Sequence, residues 1–437
     1  MSGQEATESR VSEEKPRQRS VLFRNRDFRW LWSGETVSLL GSEVSVIALP
    51  SLAVLAFGEG ALAVGLLMAL QWIPFVVLGP IFGVITDRMR RRFLMQLANI
   101  ARFVILGSLP LAAVLDQLTL THLYIAALLK GIFDVVFQLA YQAYLPQVLD
   151  RADLIDGNAK TQISRSLALI LGRSFGGGLV SLVGAARAIL LDAVSYLIAG
   201  ITLSFIRMRE PEPAPSNRGI GATLRDAKDG AVMTFGNRML RYLTLMSTFG
   251  NIAVSMCLAM VIVFAYQDLG FSAAQVGLAL GLGGVTVMLG AILAGKINER
   301  LGMGRTLVFT HILLGVALLL LPLATIGGTG WAFGVIVASQ CLASFTTPIG
   351  NVGIMTLIQK ATPPAAMGRV AGVALPFVWG AHAAGPLLGS AIAAVFATSV
   401  VFVAGSALAF CAVFWIVLGS VHRLTDDVPE DLRVVVV

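Results

Sequence analysis

Charge is scarce in this chain of 437 residues. Asp, Glu, Lys and Arg supply 13% of it and hydrophobic residues 56%, against about a quarter charged in soluble domains. Cysteine is scarcer still. Cys257, Cys341 and Cys411 fall in three different apolar stretches without metal-ligand spacing, so neither a disulfide scaffold nor a paired redox motif is implied and small buried side chains are expected. The four histidines form no ligand cluster, so no metal or other cofactor is expected. A G-x-x-x-x-G-K-[ST] phosphate loop is also missing, and with it any nucleotide-driven engine. No nucleophile, metal or cofactor constellation suggests an enzyme. The first 30 residues are polar and charged rather than a basic stretch before a cleavable apolar one, so no signal peptide is expected.

Long apolar runs are abundant. Stretches of about 20 residues, enough to cross roughly 30 Å of hydrocarbon as helix, are expected near 31–52, 62–83, 93–115, 121–142, 162–183, 187–206, 242–266, 275–296, 305–325, 329–352, 369–391 and 396–420. The reading is an all-α polytopic membrane protein of twelve spans. Nearly all of the 32 Lys and Arg residues sit in the termini or after spans 2, 4, 6, 8 and 10, and Arg187 marks one boundary on the opposite side. By the positive-inside rule both termini are cytoplasmic. The net charge of +7 therefore reflects topology, and a nucleic-acid partner is not expected.

The polar stretch 207–241, with REPEPAPSNRG, reads as a cytoplasmic linker. It divides a tail at 1–30 and six spans at 31–206 from six spans at 242–420 and a tail at 421–437. The halves echo each other. Gly83-Val-Ile-Thr-Asp87-Arg88, followed by Arg91 and Arg92, recurs as Gly295-Lys-Ile-Asn-Glu299-Arg300, followed by Arg305, at an offset of 212 residues. Gly172, Gly176 and Gly177 recur as Gly385, Gly389 and Ser390 at an offset of 213. Two echoes at nearly one offset point to a duplicated six-helix unit. Gly83 is expected to permit close helix approach, Asp87 to meet an arginine or a helix N-terminus, and both charged connections to act as a cytoplasmic gate.

The G-x-x-x-D-R-x-x-R-R loop at 83–92, its weaker copy at 295–305, and the segments FRNRDFRWLWSGETVSLLGSEVSVIALP, FDVVFQLAYQAYLPQVLDRADLIDGNAK and LLDAVSYL resemble the major facilitator superfamily. Within it the likeness is to the drug-efflux branch with macrolide and enterobactin-type siderophore exporters. The resemblance covers about residues 22–420. It implies two pseudo-symmetric six-helix bundles around a central cavity lined by spans 1, 4, 7 and 10, and alternating access as the halves rock. LGRSFGGGL, with Gly172, Gly176 and Gly177, resembles that family's G-P-x-x-G-G antiporter pattern. Arg173 replaces its proline, whereas the second half keeps Gly385-Pro386 and Gly389. Arginine there suggests an anionic substrate or a partner for Glu43; the small residues suggest tight helix packing.

Polar residues inside the apolar runs are the functional candidates. Glu43 and Asp134 are the candidate proton-coupling acids. Either could equally form a static pair, Glu43 with Arg173 and Asp134 with Lys130 four residues before it. Lys130, Arg173 and Arg102 are the candidate charge partners or anion sites, Arg102 being read chiefly as packing or boundary electrostatics. Gln138, Gln142, Asn251, Ser255, Tyr266, Gln340, Thr347 and Asn351 are candidate cavity groups. Ionisable groups concentrate in spans 1–6, so one half is expected to handle coupling while both shape the substrate compartment.

The expected function is secondary active export of an amphipathic small molecule across the bacterial cytoplasmic membrane by proton antiport. Siderophore or lysolipid export is one alternative, and a non-transporting membrane sensor or scaffold another. Protons and membrane lipids are the other expected partners, with no obligate protein partner.

Overall fold

The computed structural model describes residues 20–150, 153–210, 220–424 and 429–433. The tail before residue 20, the proline-rich stretch 211–219 and the side chain of Asp87 lie outside the described residues. Fifteen α-helices occur among the described residues: α1 Val21–Arg24, α2 Arg26–Ser51, α3 Ala61–Val77, α4 Gly79–Arg88, α5 Arg91–Val114, α6 Leu120–Val148, α7 Leu154–Val183, α8 Ala185–Ser204, α9 Ile220–Gly236, α10 Arg238–Gln267, α11 Ala273–Leu301, α12 Met303–Leu320, α13 Thr329–Ala361, α14 Pro364–Val395 and α15 Thr398–Leu418.

Local chemistry sets several of the ends. Asn25, Thr119 and Asn237 start α2, α6 and α10 by accepting hydrogen bonds from the amides of Phe28, His122 and Leu240, and Ser272 with Gln275 closes a capping box on α11. Between α7 and α8 the chain reverses at Gly184, whose φ of +87° suits a residue without Cβ. Pro50 removes an amide late in α2, and the chain continues as a π-turn over Leu52–Ala56.

Eleven of the described helices are long and apolar enough to cross a membrane. The expected second span, 62–83, departs from that pattern. Pro80 has no amide to donate to the preceding turn, so the run breaks at Leu78 into α3, of 17 residues, and α4. The expected linker 207–241 is also not continuous coil. It contains α9, which packs on α14, and it ends where α10 begins at Arg238.

Packing repeats along the chain. Helix α2 packs on α7 and α8, α5 on α6 and α8, and α3 on α6. In the same relation α10 packs on α14 and α15, α12 on α13 and α15, and α11 on α13. Individual contacts repeat as well. A methyl group on Gly172 would come within 2.8 Å of the Leu40 carbonyl and one on Gly176 within 2.9 Å of Val44 Cα, while methyls on Gly385 and Gly389 would reach the Ile252 carbonyl at 2.8 Å and Met256 Cγ at 2.6 Å. Each pair is displaced from its counterpart by 212 or 213 residues.

Two further packings join the sets, α3 on α14 and α7 on α11. Gly65 lies against Ser390 and the Pro386 carbonyl, and Gly177 lies against Gly277 and the Ala273 carbonyl. Lipid supplies no hydrophobic drive between helices, so close backbone approach at small residues must provide the attraction. Gly177→Ala is therefore expected to lower the melting temperature of the detergent-purified protein, at a cost of about 1–3 kcal/mol for overpacking. Gly178→Ala, where nothing lies within 4 Å of the new methyl, should leave it unchanged.

Candidate functional site

A cavity of about 620 Å³ lies where α2, α3, α6 and α7 face α10 and α14. Its wall carries Glu35, Glu43, Arg102, Lys130, Asp134, Arg165 and Arg173, together with Gln138, Gln142 and Ser255. Helical periodicity explains the placement on α6, where Lys130, Asp134, Gln138 and Gln142 recur every four residues and share one face.

The charges are organised as pairs. Arg173 Nε donates to Glu43 Oε2 at 2.7 Å, so two helices that already touch at Gly172 are also bridged by an ion pair. Asp134 is shared: Lys130 Nζ donates to one oxygen at 2.7 Å and Arg102 Nη1 to the other at 3.0 Å. Arg102, which its position in the sequence assigns to packing or a boundary, lines the cavity. Its guanidinium lies between the rings of Phe137 and Tyr196, 4.3 and 4.2 Å from their centroids, and also donates to Asn99 Oδ1. Behind this cluster Asp192 accepts from the hydroxyls of Ser45 and Ser195.

A second cavity, of about 590 Å³, holds Asn251, Thr347 and Asn351 with Thr244, Ser247 and His311 on α10, α12 and α13, and shares Leu375 and His382 with the first. Its polar groups are mostly neutral. Two candidates line neither cavity. The Tyr266 hydroxyl instead sits 2.6 Å from Ser51 Oγ, tying the far ends of α10 and α2, and half-buried Gln340 places its carbonyl near Gly283 of α11.

Several wall residues carry little signal in the sequence. Glu35 stands eight residues before Glu43 in a polar series with Ser38, Ser42 and Ser45, and that series was its available signal. Arg165 lay near a span boundary. Trp72 stacks on His382 at 4.7 Å and Phe75 meets Trp379 edge-on at 5.3 Å, an α3–α14 pairing that no local pattern announces.

The charged connections behave differently from expectation. A Cβ on Gly83 or Gly295 would meet nothing within 4 Å, so neither glycine serves close helix approach here. Arg91 and Arg92 are engaged by the linker and by the end of α8: Glu210 accepts from their backbone amides at 2.7 and 3.2 Å, and Arg92 donates to the Ile206 and Ser204 carbonyls at 2.8 and 3.0 Å. A carboxylate thus caps the start of α5 while an arginine closes the end of α8. Arg88, Glu299, Arg300 and Arg305 are exposed.

Residues 31–384 match the profile of the Major Facilitator Superfamily. The chain belongs to the major facilitator superfamily. It is 26% identical to the MFS-type transporter YfiS of Bacillus subtilis over 95% of this chain and 97% of that protein. It is also 24% identical to the enterobactin exporter EntS of Citrobacter koseri, over 81% and 82%. Among solved structures, the nucleoside transporter NupG superposes with a TM-score of 0.71 at 11% identity, covering 90% of this chain and 99% of that one. A bacterial homologue of the iron transporter ferroportin in an inward-facing state gives 0.69 at 16% identity, covering 90% and 98%. This is a multi-pass membrane transporter of bacterial type and not an enzyme.

Removing one member of the shared cluster should reveal its coupling. Asp134→Asn leaves Lys130 and Arg102 facing each other and is expected to destabilise by about 3–5 kcal/mol. Adding Lys130→Met should recover part of that loss, giving a coupling of about 0.5–3 kcal/mol in a thermal double-mutant cycle. At the linker, Glu210→Ala should cost about 0.5–2 kcal/mol, the range for losing a helix cap, read as a lower melting temperature.

Proposed function

We propose that this chain exports an anionic amphipathic small molecule of siderophore type from the bacterial cytoplasm by proton antiport. The observation that carries the reading is the set of cations on one cavity wall, Arg102, Lys130 and Arg173, held by Asp134 and Glu43 in pairs that a substrate carboxylate or catecholate can enter. The relationship to enterobactin exporters supports it. An uncharged drug would gain nothing from opening those pairs.

The repeat in packing supports a reading of alternating access by two comparable halves. The α3–α4 segment supplies the twelfth crossing, and residues 31–206 and 242–420 act as two six-helix bundles joined by the linker, with both termini in the cytoplasm. Contacts at one end support a state closed to the outside. Tyr266 meets Ser51, Gln267 Nε2 donates to the Glu59 carbonyl at 3.1 Å, and the Ala274 amide donates to Ser181 Oγ at 2.9 Å. In the opposite state these bonds would break while the glycine contacts of α3–α14 and α7–α11 serve as the surfaces about which the halves turn. The loops at 83–92 and 295–305 are assigned the cytoplasmic gate. The substrate's charged end occupies the first cavity and its uncharged body reaches past His382 into the second, where Asn251, Thr347 and Asn351 offer hydrogen bonds.

Inside-out vesicles carrying the full chain test this reading with three probes: enterobactin, a lysophospholipid and an uncharged hydrophobic drug. Enterobactin should accumulate only with an intact proton gradient. Arg173→Gln and Lys130→Gln should each weaken its half-saturation about tenfold, near 1.4 kcal/mol. Uptake of the uncharged drug in its place would overturn the anionic assignment, and binding without uptake of any probe would favour a sensor.

A further inference from the structure

We propose that Glu35 is the group that carries the coupled proton. The assignment rests on the antiport reading above and adds to it a residue outside the expected pair of acids.

An acid that binds and releases a proton during each cycle must reach the cavity, and its ionised form must lack a permanent partner. The three acids on the wall differ in this respect. Glu43 is held by Arg173, and Asp134 by Lys130 and Arg102. Adding a proton to either would break an ion pair without removing the cation beside it. Asp192, behind the wall, is fully buried and already accepts hydroxyl hydrogen bonds. Glu35 is only 9% exposed, and its Oε2 accepts no hydrogen bond although it is buried. An ionised carboxylate left so is costly in a low-dielectric setting, and a bound proton removes that cost.

The backbone fixes where this carboxylate lies. Its neighbours in sequence lock α2 on both flanks: Gly34 packs against Ala199 and Thr202 of α8, and the Thr36 hydroxyl lies 2.9 Å from that of Ser164 on α7. Glu35 is thereby held on the cavity wall. The titratable and charged groups around it are Arg102 of α5, Asp134 and Tyr141 of α6, and Arg165 of α7. Tyr141 is turned to Thr161, 3.4 Å away, and Arg102 is committed to Asp134 and Asn99. Arg165 is exposed and stands next to Ser164, at the contact that moves if α7 shifts along α2. Approach of Arg165 or water to Oε2 favours the carboxylate, and the proton passes to cavity water; withdrawal favours the acid. Substrate and proton therefore need not compete for the same atoms, because the anion enters at Arg102, Lys130 and Arg173 and the proton sits at Glu35.

Infrared difference spectra of the purified full chain between acidic and alkaline buffer test the assignment without any substrate. Subtracting the Glu35→Gln difference spectrum from that of the intact protein should leave one protonated-carboxyl C=O band, which shifts when Glu35→Asp takes the place of the intact protein and remains when the comparison is made in a Glu43→Gln background. Absence of any such band in the subtraction overturns the proposal. In proteoliposomes, the ratio of gradient-driven enterobactin accumulation to enterobactin counterflow should fall at least roughly tenfold in Glu35→Gln and be partly restored in Glu35→Asp. An unchanged ratio overturns it too. Should the intact protein accumulate enterobactin with the gradient collapsed, the antiport reading falls, while the infrared band still decides whether Glu35 titrates.

Discussion

Every charge on the cavity wall must be held in surroundings that penalise charge, and the arrangement of the N-terminal helices answers to that requirement. Asp134 draws together two cations from different helices, and Glu43 draws Arg173 of α7 against α2. These pairs fix helix positions as well as neutralise charge. Removing one partner leaves the other exposed to the full cost of desolvation, so the cluster behaves as one unit. Arg102 is supported further by two aromatic faces, which offer a cation attraction without adding opposing charge.

The remaining cohesion comes from shape. Glycines where α7 meets α2 and where α14 meets α10 allow backbones to approach, and the recurrence of these contacts at one offset means the same solution is used twice. The first use carries Glu43 at the position where the second carries Ser255. Equal packing with unequal chemistry concentrates charge in one compartment and leaves the other neutral. At the α3–α14 and α7–α11 crossings small residues face each other. The charged pairs of the cavity wall lie inside one set of helices.

The linker couples to this frame at a specific place. Glu210 occupies the amide end of α5, Arg92 occupies the carbonyl end of α8, and Asp27 accepts from the amides of Arg207 and Met208. The first set of helices thus holds the start of the linker, and α9 lies on α14 of the second.

Membrane class, long helices, a repeated motif and the superfamily are legible in the chain itself, because apolar run length, charge asymmetry and repeated motifs are local or periodic properties. It also exposed Glu43, Lys130, Asp134 and Arg173, since ionisable residues stand out in apolar runs. Their pairing is set by how the helices cross. Arg102 reached the cavity because α5 packs on α6 and α8, Tyr266 left it because α10 meets the end of α2, and the second span broke where a single proline interrupted an otherwise continuous apolar run. The unpartnered oxygen of Glu35, the stacking of Trp72 on His382 and the capping of α5 by Glu210 depend on residues far apart in the chain. No local pattern encodes them, because each is fixed by how helices cross and not by the sequence of either helix alone.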